Sequence, residues 1–425
     1  MPARSKHVRL GLGVVLLVAV LVRLGVVLAT PGFRPVADAL DFDRLAVALA
    51  EGRGYGAAKP EAVPGGGATA FRPPGLPVAL AAVYTLTGTD VPHDRWQAGR
   101  LLEVLLGVAT VALIALLALR LAGPGAGLAA GALAAVYPPL LVPGASLLSE
   151  ALFLPLELGA ILAALAHRRS PHPWRWAVLA GIACGLAALT RGNGLLLVPP
   201  LALAAGTGAR RSWRAPAALA AAAALVVVPW TIRNAVQLHA FVPVTTETGY
   251  TLRGTYQEGT AVRRDYPALW QVPYLELLTL ARDHPHMQEA ELDGRLTAGA
   301  LGYVRDHPTS LLSASFWNSV RMVHGQGPKI ERLQELSNGV ASPLGLAGVY
   351  GFWALAVLAL VAAAGTGAWR VVPGWLWLLV ALLWATTVWT AGGVGRYRLP
   401  CDPLLLVIAG AGLAAVSSRR PVRVA

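Results

Sequence analysis

The chain has 425 residues, of which 56% are hydrophobic and 13% charged, with a net charge of +13. A soluble domain carries about a quarter charged residues, so the polar surface here is too small for a water-soluble globule or a disordered chain. What remains is a polytopic membrane protein. Its two cysteines, Cys184 and Cys401, both lie in apolar stretches and exclude a disulfide framework or a cysteine zinc site.

Apolar runs near membrane-crossing length fall at about 10–29, 101–121, 126–142, 147–166, 176–190, 194–206, 215–230, 346–364, 371–391 and 399–416. The first follows the basic start Arg4, Lys6, Arg9 and reads as an uncleaved anchor. An eleventh segment, 76–87, is too short to span, and charge decides its place. If it lies along the interface, the turns 1–9, 120–125, 167–175, 207–214, 365–370 and 417–425 share one side with 14 Lys/Arg and no Asp/Glu. The opposite loops, 30–98 and 231–344, then carry 16 Lys/Arg and 18 Asp/Glu. The positive-inside rule makes the first side cytoplasmic. The basic excess is thus an orientation signal, not a sign of nucleic-acid binding. The expected architecture is an all-α polytopic bundle of about ten spans forming a single membrane domain, with both termini cytoplasmic. Its first outer loop, 30–98, carries interfacial helices, and its second, 231–344, is mostly helical.

In chain order, Arg23 lies inside the first span and is expected to snorkel outward. Phe42, Leu45, Ala46 and Leu49 recur at helical spacing, and Gly52 to Gly56 stops the helix. This is an amphipathic helix on the outer membrane surface, with Asp38 and Asp41 on one face near its start. Two readings fit Asp38: an N-cap, or a carboxylate that takes a proton from an acceptor hydroxyl. Around 64–67, PGGG is a flexible spot. Pro73-Pro74 holds Arg72 in a rigid extended approach suited to a phosphate or carboxylate, unless it is a plain surface arginine before a helix.

Ser149-Glu150 opens the fourth span on the outer side, where an acid marks a functional site or pairs with an arginine of another helix. Arg191 sits in a tight outer turn, Arg233 leaves the seventh span, and Arg396-Tyr397-Arg398 enters the last. Positive-inside bias gives no reason for arginines on that face, and several of them converging with acids fit an anionic headgroup. Arg398 and Asp402, four apart, are placed to pair with each other. Asp283, His284, His286 and Glu289 include metal-ligand residue types, but two histidines around a proline make weak ligand geometry.

The order of these segments carries more than any one of them. Asp38…Gly52-Arg53-Gly54-Tyr55, Phe71-Arg72-Pro73-Pro74-Gly75, Leu148-Ser149-Glu150, Thr190-Arg191, Pro229-Trp230-Thr231-Ile232-Arg233-Asn234 and Gly395-Arg396-Tyr397-Arg398-Leu399-Pro400 together resemble the membrane glycosyltransferases of the GT-C fold. The resemblance covers roughly residues 8–416 and is to the protein mannosyltransferase and aminoarabinose transferase type (family 39/83-like). It implies a polyprenyl-phosphate sugar donor used on the extracytoplasmic face and an inverting transfer to a hydroxyl or phosphate of a lipid, glycan or protein acceptor. It implies Asp38 as the catalytic carboxylate, alone or with Asp41, and Glu150 as the second acidic position. Arg72 stands where the family has Arg or Lys, and Arg72, Arg191, Arg233, Arg396 and Tyr397 are the expected donor-binding set. Some GT-C enzymes use a divalent metal and others do not; no ligand set is evident here. Two other classes compete. A flippase of lipid-linked sugars needs polar residues near mid-membrane, whereas these spans are almost uniformly Ala, Leu and Val. A scaffold needs no converging acids and arginines.

Overall fold

The structure is a computed structural model that describes residues 2–56, 67–88, 90–168, 170, 172–207, 213–261, 266–327, 342–390 and 392–418. Most of the PGGG stretch, the arginines of 208–212, the end of the second loop at 328–341 and the last basic residues lie outside the described residues. Every regular element among the described residues is helical.

Helix α1 (Pro2–Ala29) packs on α4 (Pro92–Ala122) and α5 (Pro124–Val136). Arg23 does not snorkel. It is buried and donates to the carbonyls of Ala19 at 3.3 Å and Ala135 at 3.2 Å. Gly107 of α4 makes the room, since a Cβ there would stand 2.5 Å from Arg23 Nε. Both Arg23 bonds come from Nη1, so the helix carbonyls satisfy this buried guanidinium only in part.

The run expected at 126–142 ends early, at Val136. Pro138, Pro139 and Pro143 remove helical donors, and two short 3-10 turns carry the chain to α6 (Glu150–His167). Then come α7 (Pro173–Thr190), a 3-10 turn Gly192–Leu197 running into the short α8 (Val198–Gly206), and α9 (Arg214–Leu238), which outlasts its apolar run by two turns. Helices α7 and α9 touch backbone to backbone at Gly181, where a Cβ would meet the Leu219 carbonyl oxygen at 2.2 Å. Small residues at such seams let membrane helices approach closely. The C-terminal part holds α15 (Ser342–Thr366), α16 (Gly374–Thr390) and α17 (Asp402–Ser418), with α17 packed between α5 and α15. Six helices (α1, α4, α6, α7, α9 and α15) are long and apolar enough to cross a bilayer. Four shorter apolar stretches, α5, 192–206, α16 and α17, stand where the remaining spans are expected.

Two sets of helices gather at one end. In the first long loop, α2 (Asp38–Ala50) buries Phe42, Leu45 and Ala46. It packs on α3 (Gly75–Thr87), whose 13 residues reach only about 20 Å. Pro73-Pro74 starts α3, and Gly88 ends it in the left-handed region. The second loop supplies α10 (Thr248–Thr255), α11 (Glu258–Ala261), α12 (Tyr274–Asp283), α13 (Glu289–Asp306) and α14 (Thr309–Met322).

Candidate active site

Asp38 is the first residue of α2, not its cap. Ala37 holds the N-cap position, with no side-chain cap. The Asp38 carboxylate therefore points away from its own helix. The helix is fixed by Asp43, which is buried and accepts hydrogen bonds from the Tyr84 hydroxyl at 2.8 Å and Trp96 Nε1 at 3.1 Å. These bonds tie α2 to α3 and α4.

Arg72 stands on a short non-helical segment before α3. The Tyr55 hydroxyl donates to the Arg72 carbonyl at 2.7 Å, and Thr245 Oγ1 to the Phe71 carbonyl at 2.5 Å. Arg233 is not brought to the acids. It donates to the carbonyls of Thr69 at 2.6 Å and Tyr55 at 2.5 Å, and lies over the Trp230 ring. There it braces the segment that carries Arg72.

Glu150 is placed by a different clamp. Glu103 of α4 accepts the Leu147 N–H at 2.8 Å, and Arg100 donates to the Ala145 carbonyl at 2.8 Å. Leu147 has φ 56, a left-handed residue held by that clamp just before Ser149-Glu150. The loop bearing Arg396 is pinned at both ends. Arg321 donates to the Gly392 carbonyl at 3.1 Å and Asn318 to Val388 at 2.6 Å. Beyond it, Arg398 pairs with Asp402 at 2.8 Å, as their spacing predicts, and Tyr137 donates to the same carboxylate at 2.8 Å. Arg398 is thus structural, and Arg396-Tyr397 alone face the acids.

The result is a zigzag of alternating charge. Glu247 Oε1 meets Arg72 Nη1 at 2.5 Å, and Arg72 Nη2 meets Asp38 Oδ1 at 2.6 Å and Asp41 Oδ2 at 2.8 Å. The other Asp38 oxygen meets Arg396 Nη2. Arg396 Nε lies 3.7 Å from Glu150 Oε1, which pairs with Arg191 Nη1 at 2.7 Å. Tyr397 lies under the guanidiniums of both Arg396 and Arg191, at 4.9 and 5.3 Å from its ring centre. Phe71, Tyr250 and Trp270 form an edge-to-face row beside Arg72.

Seven of the expected site residues therefore meet: Asp38, Asp41, Arg72, Glu150, Arg191, Arg396 and Tyr397. Glu247 was not foreseen. Its sequence context, Thr245-Thr246-Glu247, carries no motif, and only the folding of the second loop over the first brings it in. Glu289 does that folding by accepting the Ala70 N–H at 2.8 Å and the Thr246 hydroxyl at 2.5 Å.

The surroundings divide the acids. Burial opposes charge on Asp38, but Arg72 and Arg396 overcome it and hold this carboxyl well below the usual range. For Asp41 and Glu247 burial wins over the pull of Arg72, and both are pushed up. Burial also raises the Tyr397 phenol against the pull of Arg396, so it stays protonated.

Among the described residues no three His, Cys, Asp or Glu side chains are placed to hold a metal ion. Asp38, Asp41 and Glu247 instead share the Arg72 guanidinium, a cation already seated where a divalent ion would need their oxygens. The donor set does not fit a metal alongside that arginine. His284 is exposed and contacts Arg295 at 3.3 Å, away from the site.

Residues 72–232 match the model of the dolichyl-phosphate-mannose-protein mannosyltransferase family. No curated protein sequence matches the chain. Among solved structures, the chain is similar to the archaeal oligosaccharyltransferase AglB from Archaeoglobus fulgidus in complex with an inhibitory peptide and a dolichol-phosphate. That likeness has 15% identity and a TM-score of 0.58, over 96% of this chain and 50% of that one. The same oligosaccharyltransferase with zinc and sulfate gives 15% identity and a TM-score of 0.56, over 95% and 49%. ArnT from Cupriavidus metallidurans bound to undecaprenyl phosphate gives 14% identity and a TM-score of 0.45, over 97% and 79%. The chain spans about half the length of the oligosaccharyltransferases it matches. At these identities the likeness to the oligosaccharyltransferase is one of fold, and that fold is the GT-C-like helix bundle the resemblance implies.

Proposed function

We propose that this chain is a membrane glycosyltransferase. It moves a sugar from a polyprenyl-phosphate carrier to an acceptor hydroxyl or phosphate, on the extracytoplasmic face, in one inverting displacement. The observation that carries the reading is the zigzag in which three arginines, Arg72 buried and Arg191 and Arg396 half-buried, alternate with acids at one end of an apolar bundle. The family match over 72–232 and the dolichol-phosphate held by the archaeal neighbour support a prenyl-phosphate donor. The charge asymmetry of the loops supports cytoplasmic termini and an outward-facing site.

The chemistry asks for few groups. Leaving as a phosphate, the carrier needs no strong acid, only cations for the charge it gains. Arg396, Arg191 and Arg72 supply them, with Tyr397 as a further donor. The sugar passes through an oxocarbenium-like state. Asp38, kept ionised by its two arginines, stabilises that positive charge and orients the acceptor. A carboxylate of the cluster takes the acceptor proton. The apolar helices hold the prenyl chain, and the acceptor is a lipid, glycan or protein.

The test measures sugar release from radiolabelled polyprenyl-phosphate hexose in membranes carrying wild type, Asp38→Asn or Arg396→Ala. Wild type consumes the donor, and both variants lose turnover while staying folded. Transport of the intact lipid-linked sugar without cleavage would replace the enzyme by a flippase.

A further inference from the structure

We propose that Glu247, rather than Asp38, is the general base, and that the two carboxylates divide the work across the Arg72 guanidinium. The inference rests on the glycosyltransferase reading and deepens it.

The geometry separates the two acids. Asp38 has a cation on each oxygen: Arg72 Nη2 at 2.6 Å on one and Arg396 Nη2 on the other. Protonating Asp38 would discharge a carboxylate that two cations share, whereas Glu247 is held by one. Glu247 spends one oxygen on Arg72 Nη1, at 2.5 Å, and among the described residues its Oε2 accepts no hydrogen bond. Its side chain is also the most open of the four acids, 28% exposed against 23% for Asp38, 13% for Asp41 and 1% for Glu150. An acceptor reaching the cluster from outside therefore meets Glu247 with a lone pair available.

Position agrees with this. Asp38 and Glu247 sit on neighbouring nitrogens of one guanidinium, so a hydroxyl lodged between them is oriented by one and deprotonated by the other. Glu247 does not swing freely. Its N–H donates to Thr245 Oγ1 at 3.1 Å, Thr246 is tied to Glu289, and the next turn is tied by Gly249 N–H to Asp293 at 2.5 Å. The charged and titratable groups facing it are Arg72, Asp38, Arg191, Asp41 and Tyr250. Burial among them raises its carboxyl, toward the range where a base works, while Asp38 is held down. Environments that push two acids apart in this way assign their roles.

The step balances. The acceptor O–H gives its proton to Glu247 Oε2 as its oxygen bonds the anomeric carbon. The bond from that carbon to the phosphate oxygen breaks, and its electron pair leaves on the polyprenyl phosphate. Glu247 then returns its proton to water.

The experiment uses the full chain in membranes, radiolabelled polyprenyl-phosphate hexose as donor, and two probe acceptors. Methanol must lose a proton; azide has none to lose. For Glu247→Gln, transfer to methanol falls by roughly 10²–10⁴-fold, while transfer to azide stays within a few-fold of wild type. For Asp38→Asn both fall. In wild type the acid limb of the kcat profile with methanol reports the base, and the azide reaction of Glu247→Gln lacks that limb. Should Glu247→Gln fail to fold, Glu247→Asp carries the test, slowing methanol transfer by its shorter reach and sparing azide. Equal methanol transfer by Glu247→Gln and wild type overturns the proposal. So does parallel loss of methanol and azide transfer in a folded variant, which would make Glu247 only a brace for Arg72. A wild type that consumes no donor overturns the underlying glycosyltransferase reading instead.

Discussion

Replacing Arg72 by methionine tests the electrostatic design of the site. The side chain is 11% exposed and touches three acids: Asp38 at 2.6 Å, Asp41 at 2.8 Å and Glu247 at 2.5 Å. It also lies over the rings of Phe71 and Phe42, at 5.0 and 5.7 Å. Methionine keeps most of that packing and removes the charge. Breaking a buried ion pair from one side costs roughly 3–5 kcal/mol, because the partner is left charged and desolvated. Little solvent screens this cluster, so the loss falls in that range at neutral pH. The pH dependence identifies the cause. In wild type the depressed Asp38 carboxyl contributes stability above its unfolded pKa, and this is lost as pH falls through the lower folded value. In Arg72→Met, where Asp38 keeps Arg396, Asp41 and Glu247 lose the cation that opposes their burial and rise further than in wild type. Their penalty is full at neutral pH and is relieved as they protonate on acidification. The gap between variant and wild type, measured by thermal unfolding in detergent from pH 7.5 to pH 5, therefore narrows as pH falls. A gap constant over that range refutes the argument, since lost packing does not titrate.

Asp43→Ala orphans the buried Tyr84 hydroxyl and the Trp96 N–H, at about 1–3 kcal/mol for each donor left unpaired. It loosens α2, so donor turnover falls with the melting temperature, and unchanged turnover would sink the role given to that anchor. Gly181→Ala drives a Cβ to 2.2 Å from the Leu219 oxygen and prises α7 from α9. Overpacking of this kind costs about 1–3 kcal/mol, read as a lower melting temperature; an unshifted one contradicts the seam. Asp293 is pushed up to about 6 by burial, against the Gly249 N–H that it accepts. Its folded pKa lies above its unfolded one, so its ionised form costs stability at high pH, and the cost is relieved between about pH 6 and 4. Asp293→Asn keeps an acceptor for Gly249 and removes that dependence, so wild type gains on the variant as pH falls. Parallel curves refute it.

Part of this site was readable before any fold. Asp38 and Asp41 share a face because three residues make most of a helical turn, and Arg72 is rigid because two prolines follow it. The choice for Asp38 between cap and reactive acid was not readable. Both need the residue at a helix start; the fold gives the cap position to Ala37 and pairs Asp38 with Arg396, 358 residues away. Arg233 and Arg396 look alike in sequence, each within three residues of an aromatic residue near a helix end. One braces a loop and the other enters the cluster, since helix rotation and loop path set where a long side chain goes.

The chain alone determines that it is a multi-pass helical membrane bundle, and the charge of its loops sets the orientation proposed for it. Composition and charge are summed over whole segments and do not depend on how those segments pack. Tertiary structure alone decides what individual charges meet. It buries Arg23 against carbonyls instead of letting it reach water. It also folds the second loop so that Glu247 joins three acids known from their own segments. In a low-dielectric site a charge takes its behaviour from neighbours a few ångströms away, and those neighbours are tens to hundreds of residues distant in sequence.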